Sequence, residues 1–600
     1  VGRVAADKAA ARLRHHRQFG DMVLHAPQIL RALVRANEIW LVVLAGVVGI
    51  CAGFLVAMIN IATSLLQHGL YALDPRERLS GQIEIDHFRL LLVPSLGGLA
   101  VGLLGLALAR WWPRRAIDPI EANALFGGRM SLNDSLTVVL QTVMSNGVGA
   151  SVGLEAGYTQ IGSALASRLG RSFRVRRNDL RVLVGCGAAG AIGAAFNAPL
   201  TGAFYAFELV IGTYSLANLA PVVMSAIAAI AVVRAITGGA DGFDLRIPSE
   251  ITAVDYIPVL ALGIICALTG VAIMRGVTLT ETLFRRSGVP VWLRPFVGGL
   301  VVGGLALISP QVLSSGHEAL HIDIDAPYTL GHVALLVLLK SLASAISLGS
   351  GFRGGLFFAS LFLGALVGKL FAGAMAMVTL TNALPPVVCA LVGMSALAVA
   401  IVGGPLTMSF LALETTGSLP LTIAVVAAAV VSSLTVRRTF GYSFATWRFH
   451  LRGEAIRSAV DVGWMRNLTV GKMMRREQRT VRADTPIAAF RRDFPLGATT
   501  GVVAVDETGR YAGVVLLSEA HAADTSARSV AEILHNPTTM LLPQMTVKEA
   551  IAAFEAAETD ALAVVDSRET KKVIGLLTEA HALRRYSEEL DRRRRELSGE

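Results

Sequence analysis

The sequence predicts an all-α polytopic membrane protein carrying a smaller α/β module behind its membrane region. Three observations lead there. Hydrophobic residues make up 53% of the 600 and charged residues only 16%, whereas soluble domains carry about 25% charge; the mean hydropathy is +0.58. Between Ile39 and Val436 apolar stretches follow one another with short breaks. Past Gly453 alternating apolar strands and charged helices take over, and no stretch there is long enough to cross a bilayer. This composition excludes a single soluble enzyme and a largely disordered chain. Fifty-nine glycines with only 6% aromatics suit closely packed membrane helices.

The chain begins with a basic segment, 1–37, and the net charge of +10 recurs at Arg168 to Arg181, at Arg437–Arg438 and in a basic tail, 591–600, with Arg592 to Arg595. Short basic stretches beside spans mark the cytoplasmic face, so both termini are expected in the cytoplasm and the protein in the cell (inner) membrane. Nucleic-acid binding needs basic residues gathered on one surface with aromatics among them; here they punctuate apolar runs, and no nucleic-acid partner is expected. The first long apolar run starts only at Ile39, so no removable signal peptide is expected. Cys51, Cys186, Cys266 and Cys389 lie singly in apolar runs, a pattern of neither disulfides nor a metal site.

A membrane domain is expected over 38–453, with apolar runs at 39–66, 88–109, 136–166, 181–213, 216–236, 257–275, 296–308, 329–348, 355–378, 384–402, 404–414 and 420–436. Several reach the roughly 20 residues a span needs. Others are broken by Gly, Pro or Asn at Asn146–Gly157, Phe196–Gly202 and Gly349–Gly355. Helices that stop inside a bilayer leave free N–H groups, tolerable only beside protein or a watery cavity, and such breaks point to a substrate site near the midplane.

The module, 467–590, repeats itself. Gly513-Val-Val-Leu-Leu-Ser-Glu-Ala-His-Ala522 is echoed by Ile574-Gly-Leu-Leu-Thr-Glu-Ala-His-Ala582, and Ile487-Ala-Ala-Phe490 by Ile551-Ala-Ala-Phe554. Each copy (467–524 and 528–588) reads as a helix, a strand at Gly501–Val505 or Ala561–Val565, a polar turn, a second strand and a short helix. One copy alone leaves an apolar sheet face uncovered, so the two form one body. The endings Ser518-Glu-Ala-His521 and Thr578-Glu-Ala-His581 resemble a tandem CBS module. That resemblance implies adenine nucleotide bound between the copies, held at the ribose by an Asp where this chain has His521 and His581. Without that carboxylate, nucleotide affinity should fall. Ser518 and Thr578 are left as phosphate-side donors or as helix N-caps, and dimer contact or mechanical regulation is as good a reading as nucleotide sensing.

Three glycine-rich turns feed apolar helices: Ser145–Gly162, Gly193–Glu208 and Gly349–Ala365. A turn free of bulky side chains lets a small ion reach the first helical N–H groups, where the helix dipole favours an anion without a full counter-charge. Isolated glycines such as Gly98, Gly102 and Gly105 read instead as helix-packing positions.

These motifs, in order, resemble the CLC family of chloride channels and proton-coupled chloride exchangers. Gly153-Leu-Glu-Ala-Gly157 matches the family's GREGP, with Glu155 in the gating place. Gly351-Phe-Arg-Gly-Gly-Leu-Phe357 matches GxPGGxF, and Phe196-Asn-Ala-Pro-Leu-Thr-Gly202 and Gly404-Pro-Leu-Thr407 through Glu414 also fit. The resemblance implies two inverted helical halves, a homodimer, and an anion pathway in each subunit lined by Gly153, Leu154, Gly354, Gly355 and the amides of Leu356 and Phe357. Glu155 fits its role physically: a carboxylate in an apolar helix is costly, takes an anion's place when ionised and leaves when protonated. Glu414 is expected to pair structurally.

The departures shape the functional expectation. The family's GSGIP aligns with Arg115-Ala-Ile-Asp-Pro119, so its anion-binding serine becomes Ala116, and its late tyrosine becomes Ala445. The internal proton glutamate that follows the equivalent of Glu208 is Leu209, Arg353 replaces the proline of the third motif, and Leu154 and Ala156 replace the arginine and proline of the second. With those hydroxyls absent, the anion relies on backbone amides and Arg353, and selectivity widens beyond chloride. With Leu209 offering no proton step, passive channel-like conduction is favoured. A proton-coupled chloride exchanger, with protons passing Glu208, stays open as the alternative. A CBS-bearing divalent-cation transporter is more remote, because hard cations need several oxygen ligands together. No cofactor is required, no metal is expected, and no arrangement of catalytic residues points to an enzyme.

Overall fold

The computed structural model describes residues 38–73, 79–82, 85–238, 251–323, 328–378, 384–441, 443, 468–476, 480–496, 501–522 and 528–598. The segment 1–37 and Ala445 lie outside them. The chain divides into two compact units between Val460 and Asp461.

Sixteen α-helices are described in the first unit, and they fall into two runs of eight. The first run is α1 (Glu38–Tyr71), α2 (His87–Trp111), α3 (Pro119–Leu125), α4 (Leu132–Gly147), α5 (Glu155–Ser172), α6 (Arg177–Phe196), α7 (Pro199–Tyr205, widening into a π turn over Ala206–Ile211) and α8 (Leu216–Thr237). The second is α9 (Tyr256–Arg286), α10 (Arg294–Ala306), α11 (His317–Asp323), α12 (Leu330–Ser350), α13 (Phe357–Val378), α14 (Pro386–Val402), α15 (Pro405–Thr416) and α16 (Leu419–Thr439). Packing follows the same repeat. α1 lies on α8 as α9 lies on α16, and α5 on α6 as α13 on α14. In both halves the last of these contacts is glycine on glycine. A Cβ on Gly162 would strike the Gly187 carbonyl, and one on Gly364 would strike that of Gly393. Gly98 and Gly102 are needed for the same reason, against the carbonyls of Pro295 and Trp292. Gly105 is not: its Cβ would meet only Gln141 Nε2, at 3.9 Å.

Eight described helices are long and apolar enough to cross a membrane. The runs 136–166 and 181–213 are each two helices. α4 gives way to a loop at Val148, and α6 ends at Asn197 in the left-handed region (φ 55°). Proline then starts α7, where its missing N–H costs nothing. The run 257–275 continues to Arg286, because the residues after Arg275 remain helix-compatible though no longer apolar. The seven-residue α11 has too little apolar periodicity to be read from sequence.

In the second unit β1 (Thr480–Arg482), β2 (Gly501–Val505) and β3 (Tyr511–Leu516) form a sheet in that order, β1 parallel to β2 and β2 antiparallel to β3. β4 (Ala561–Val565) and β5 (Val573–Thr578) form the second copy's antiparallel pair, bulged at Val564/Val565 where the first is bulged at Ala504/Val505. In the second copy the place of β1 is taken by a single parallel bridge, Leu541 to Val564. Val503, Tyr511 and Val514 meet Ala563 and Val565 in a shared apolar cluster, which covers the face either copy would leave bare. The last helix, Glu579–Ser598, runs on through the tail expected as a separate segment from 591.

Candidate functional site

The loop between α4 and α5 is held by buried side chains. Asn146 Nδ2 donates to the Val152 carbonyl at 2.6 Å, the Ser151 amide to Ser347 Oγ at 3.0 Å, and the Arg353 amide to Ser145 Oγ at 3.0 Å. Behind it, the buried Lys340 ammonium donates to the carbonyls of Val312 (3.0 Å), Leu313 (3.3 Å) and Ser314 (2.9 Å). Backbone oxygens satisfy that cation in place of a carboxylate.

This scaffold brings the starts of α5 and α13 together. The Gly153 amide donates to the Gly355 carbonyl at 2.9 Å and the Gly355 amide to the Gly153 carbonyl at 3.1 Å. The equivalent turns of the two halves are thus joined as an antiparallel bridge. Glu155 is the first residue of α5 and only 3% exposed. Its Oε1 accepts from the Phe358 amide at 2.9 Å, in the first turn of α13, and Oε2 has no partner among the described residues. A carboxylate here meets the positive end of α13. The nook exists because Gly153 and Gly355 lack side chains. A Cβ on Gly355 would lie 2.8 Å from Glu155 Oε2, and one on Gly153 would overlap the whole carboxylate.

The amides expected to face an anion divide accordingly. Those of Gly153 and Gly355 are spent on each other, so these two glycines border the nook through their bare Cα atoms and not as donors. Leu356 and Phe357 donate to no described residue, and Phe358, which the motif did not single out, is the donor Glu155 uses. Gly354 packs its backbone against Val152, and Leu154 is the N-cap of α5, without a side-chain cap bond. Arg353 does not line the buried nook: it is exposed. Ala116 is half-buried two residues before Asp118, whose Oδ1 caps its own helix by accepting from the Ile120 amide at 2.9 Å. Phe196 stacks on Phe358 with centroids 4.4 Å apart and tilts over Phe357 at 4.6 Å. Tyr205, also unmarked by any motif, lies 6.2 Å from Phe357.

Glu208 is engaged elsewhere. Its carboxylate accepts from the Leu406 amide (3.0 Å), the Thr407 amide (2.8 Å) and Thr407 Oγ1 (2.6 Å) at the start of α15. Glu414 does the same at the start of α7, accepting from the Leu200 amide (2.7 Å), the Thr201 amide (2.8 Å) and Thr201 Oγ1 (2.7 Å). Each half caps the other's helix. The expectation that Glu208 serves gating or proton movement therefore meets a carboxylate already filled by three donors. Pro-Leu-Thr precedes Glu208 and Glu414 at the same spacing, a repeat that marks the two sites as equivalent without naming the partner of either.

In the second unit, His521 Nε2 contacts the Phe494 carbonyl at 2.9 Å and His581 Nδ1 contacts Arg584 at 3.3 Å. Burial first, then Arg584, Arg475 and Arg585, hold the His581 imidazole below its ordinary range. Ser518 is inside the helix Leu517–Ala520, not its N-cap, and Thr578 ends β5. A cavity of about 140 Å³ is lined by Gly501, Leu516, Glu558, Thr559, Asp560 and Ala561, well below the roughly 300 Å³ at which ligand pockets begin.

The family profile described as "Voltage gated chloride channel" matches residues 117–437, more than half of the chain. The chain belongs to the CLC family. A CBS domain profile matches residues 530–588. Among CLC relatives, "Voltage-gated ClC-type chloride channel ClcB" of Escherichia coli is 29% identical over 401 residues, covering 66% of this chain and 95% of the relative. Two solved CLC structures share the fold. A slow cyanobacterial Cl−/H+ antiporter has TM-score 0.60 and 21% identity, covering 69% of this chain and 97% of its own. A eukaryotic CLC transporter has TM-score 0.57 and 16% identity, covering 92% and 98%. This CLC protein is thus a multi-pass membrane protein of the chloride-transporting family, with a CBS region at its C-terminal end.

Proposed function

We propose that the protein conducts chloride, or a similarly small monovalent anion, past Glu155 by channel-like passage. The proposal places one pathway in each subunit of a homodimer, in the cell (inner) membrane with both termini cytoplasmic. The observation that carries it is the Glu155 carboxylate on the Phe358 amide, between two glycines whose bare Cα atoms make its seat. A carboxylate oxygen and a halide accept from the same donors, so an ionised Glu155 competes with the anion and a protonated one yields to it. Passive conduction is supported by Leu209 and by the three donors that occupy Glu208. Breadth beyond chloride is supported by Ala116, which offers no hydroxyl. In the CBS pair, histidines stand at the two ribose places and both are already engaged, which favours mechanical regulation or dimer contact over nucleotide binding.

The test is flux from purified full-length protein in liposomes, with chloride and proton movement followed together. Chloride moving without stoichiometric protons supports the reading. A fixed proton countertransport overturns channel-like passage and leaves the exchanger.

A further inference from the structure

We propose that the Tyr205 hydroxyl is the side-chain donor an anion meets as it passes Glu155, doing the work of the hydroxyls that positions 116 and 445 lack. The proposal rests on the transport reading above and adds its specificity-determining residue.

Three independent placements lead to Tyr205. It is the last residue of α7, where the helix widens into the π turn Ala206–Ile211; such turns re-aim side chains and recur at functional sites. Its ring packs with the cluster that holds Leu356 and Phe357, 6.2 Å from the Phe357 ring, beside the two amides that have no described partner. Its phenol lies near the Thr159 hydroxyl and within electrostatic reach of the Asp118 and Glu155 carboxylates. It therefore stands beside the start of α13, close to the first turns of α5.

The hydrogen count then favours a free donor. Thr159 Oγ1 spends its own proton on the Glu155 carbonyl, at 2.9 Å, so toward Tyr205 it is an acceptor. The phenol proton can rotate between Thr159 and an arriving anion with no other bond broken. Asp118 gives its Oδ1 to its own helix and its field opposes an anion, so a neutral O–H at this place offsets that opposition. A hydroxyl rather than a cation also keeps binding weak enough for release.

The test is chloride binding to the purified full-length protein by isothermal titration calorimetry, together with chloride flux from liposomes. Tyr205→Phe keeps the ring and removes the donor; chloride affinity should fall about tenfold, the scale of one hydrogen bond to a charged group, while the pH dependence set by Glu155 stays. Adding Ala116→Ser to Tyr205→Phe should restore most of that loss, which a packing role for the ring would not allow. Wild-type affinity in Tyr205→Phe overturns the proposal alone, and so does a loss that Ala116→Ser leaves untouched. A wild-type protein that binds and carries no chloride overturns the transport reading and this proposal with it.

Discussion

Replacing Gly153 by alanine should open the pathway by evicting Glu155. A Cβ at Gly153 would meet the Glu155 carboxylate before anything else, with Cδ at 2.6 Å and both oxygens closer still. The obstacle is the end of a flexible side chain, so the carboxylate swings away and the backbone bridge to Gly355 survives. Leaving the seat breaks one bond, from the Phe358 amide at 2.9 Å. A hydrogen bond to a charged group is worth about 1.5–3 kcal/mol, so the seated population should drop by roughly 10- to 150-fold. Chloride efflux from liposomes at neutral pH should then rise toward its acidic value, and its pH dependence should flatten. In a Glu155→Ala background the added methyl meets no carboxylate, so Gly153→Ala should change nothing further. A Gly153→Ala protein with wild-type pH dependence would refute the reasoning, as would equal loss of flux in both backgrounds.

Further outcomes are expected from the same geometry. Glu155→Gln cannot ionise, so flux should become insensitive to pH, as chloride efflux at acidic and neutral pH will show. Glu208→Ala and Glu414→Ala each strip three donors of one acceptor; thermal unfolding of the purified protein should report losses of about 1–3 kcal/mol, similar for the two, and a loss at one site only would contradict reciprocal capping. In the CBS region the Thr570 hydroxyl, followed by the Ser567 and Lys572 amides, holds Asp566 below the usual carboxylate range. A depressed folded value means that its stabilisation is complete above the unfolded value near 3.8 and fades as pH falls through the folded one. Protection from hydrogen exchange across 566–572, taken relative to the intrinsic rate at each pH, should therefore fall below about pH 4, whereas Asp566→Asn should already show the lower protection at neutral pH.

Much of the fold was legible because its signals are local. A span is a run of apolar residues, and a helix interruption is a Gly, Pro or Asn cluster; both were read at Asn146–Gly157 and Phe196–Gly202 without tertiary information. The strands Gly501–Val505 and Ala561–Val565 were read to their ends, since each is a short β-branched run bounded by turn residues. α11 escaped because seven residues with little apolar periodicity carry no helical signature, and its place in the fold comes from its neighbours.

The sequence by itself determined the membrane domain, the doubled C-terminal module, the glycine turns and the carboxylate at the head of the first of them, Glu155. Tertiary structure alone decided which groups are open. It closed the Gly153 and Gly355 amides on each other, offered Phe358 to Glu155, tied Glu208 to α15 and Glu414 to α7, and set Tyr205 beside Phe357. The physical reason is separation along the chain. Each of these partners is 150 or more residues from the other, so their meeting depends on how the two halves dock, and no local periodicity encodes that.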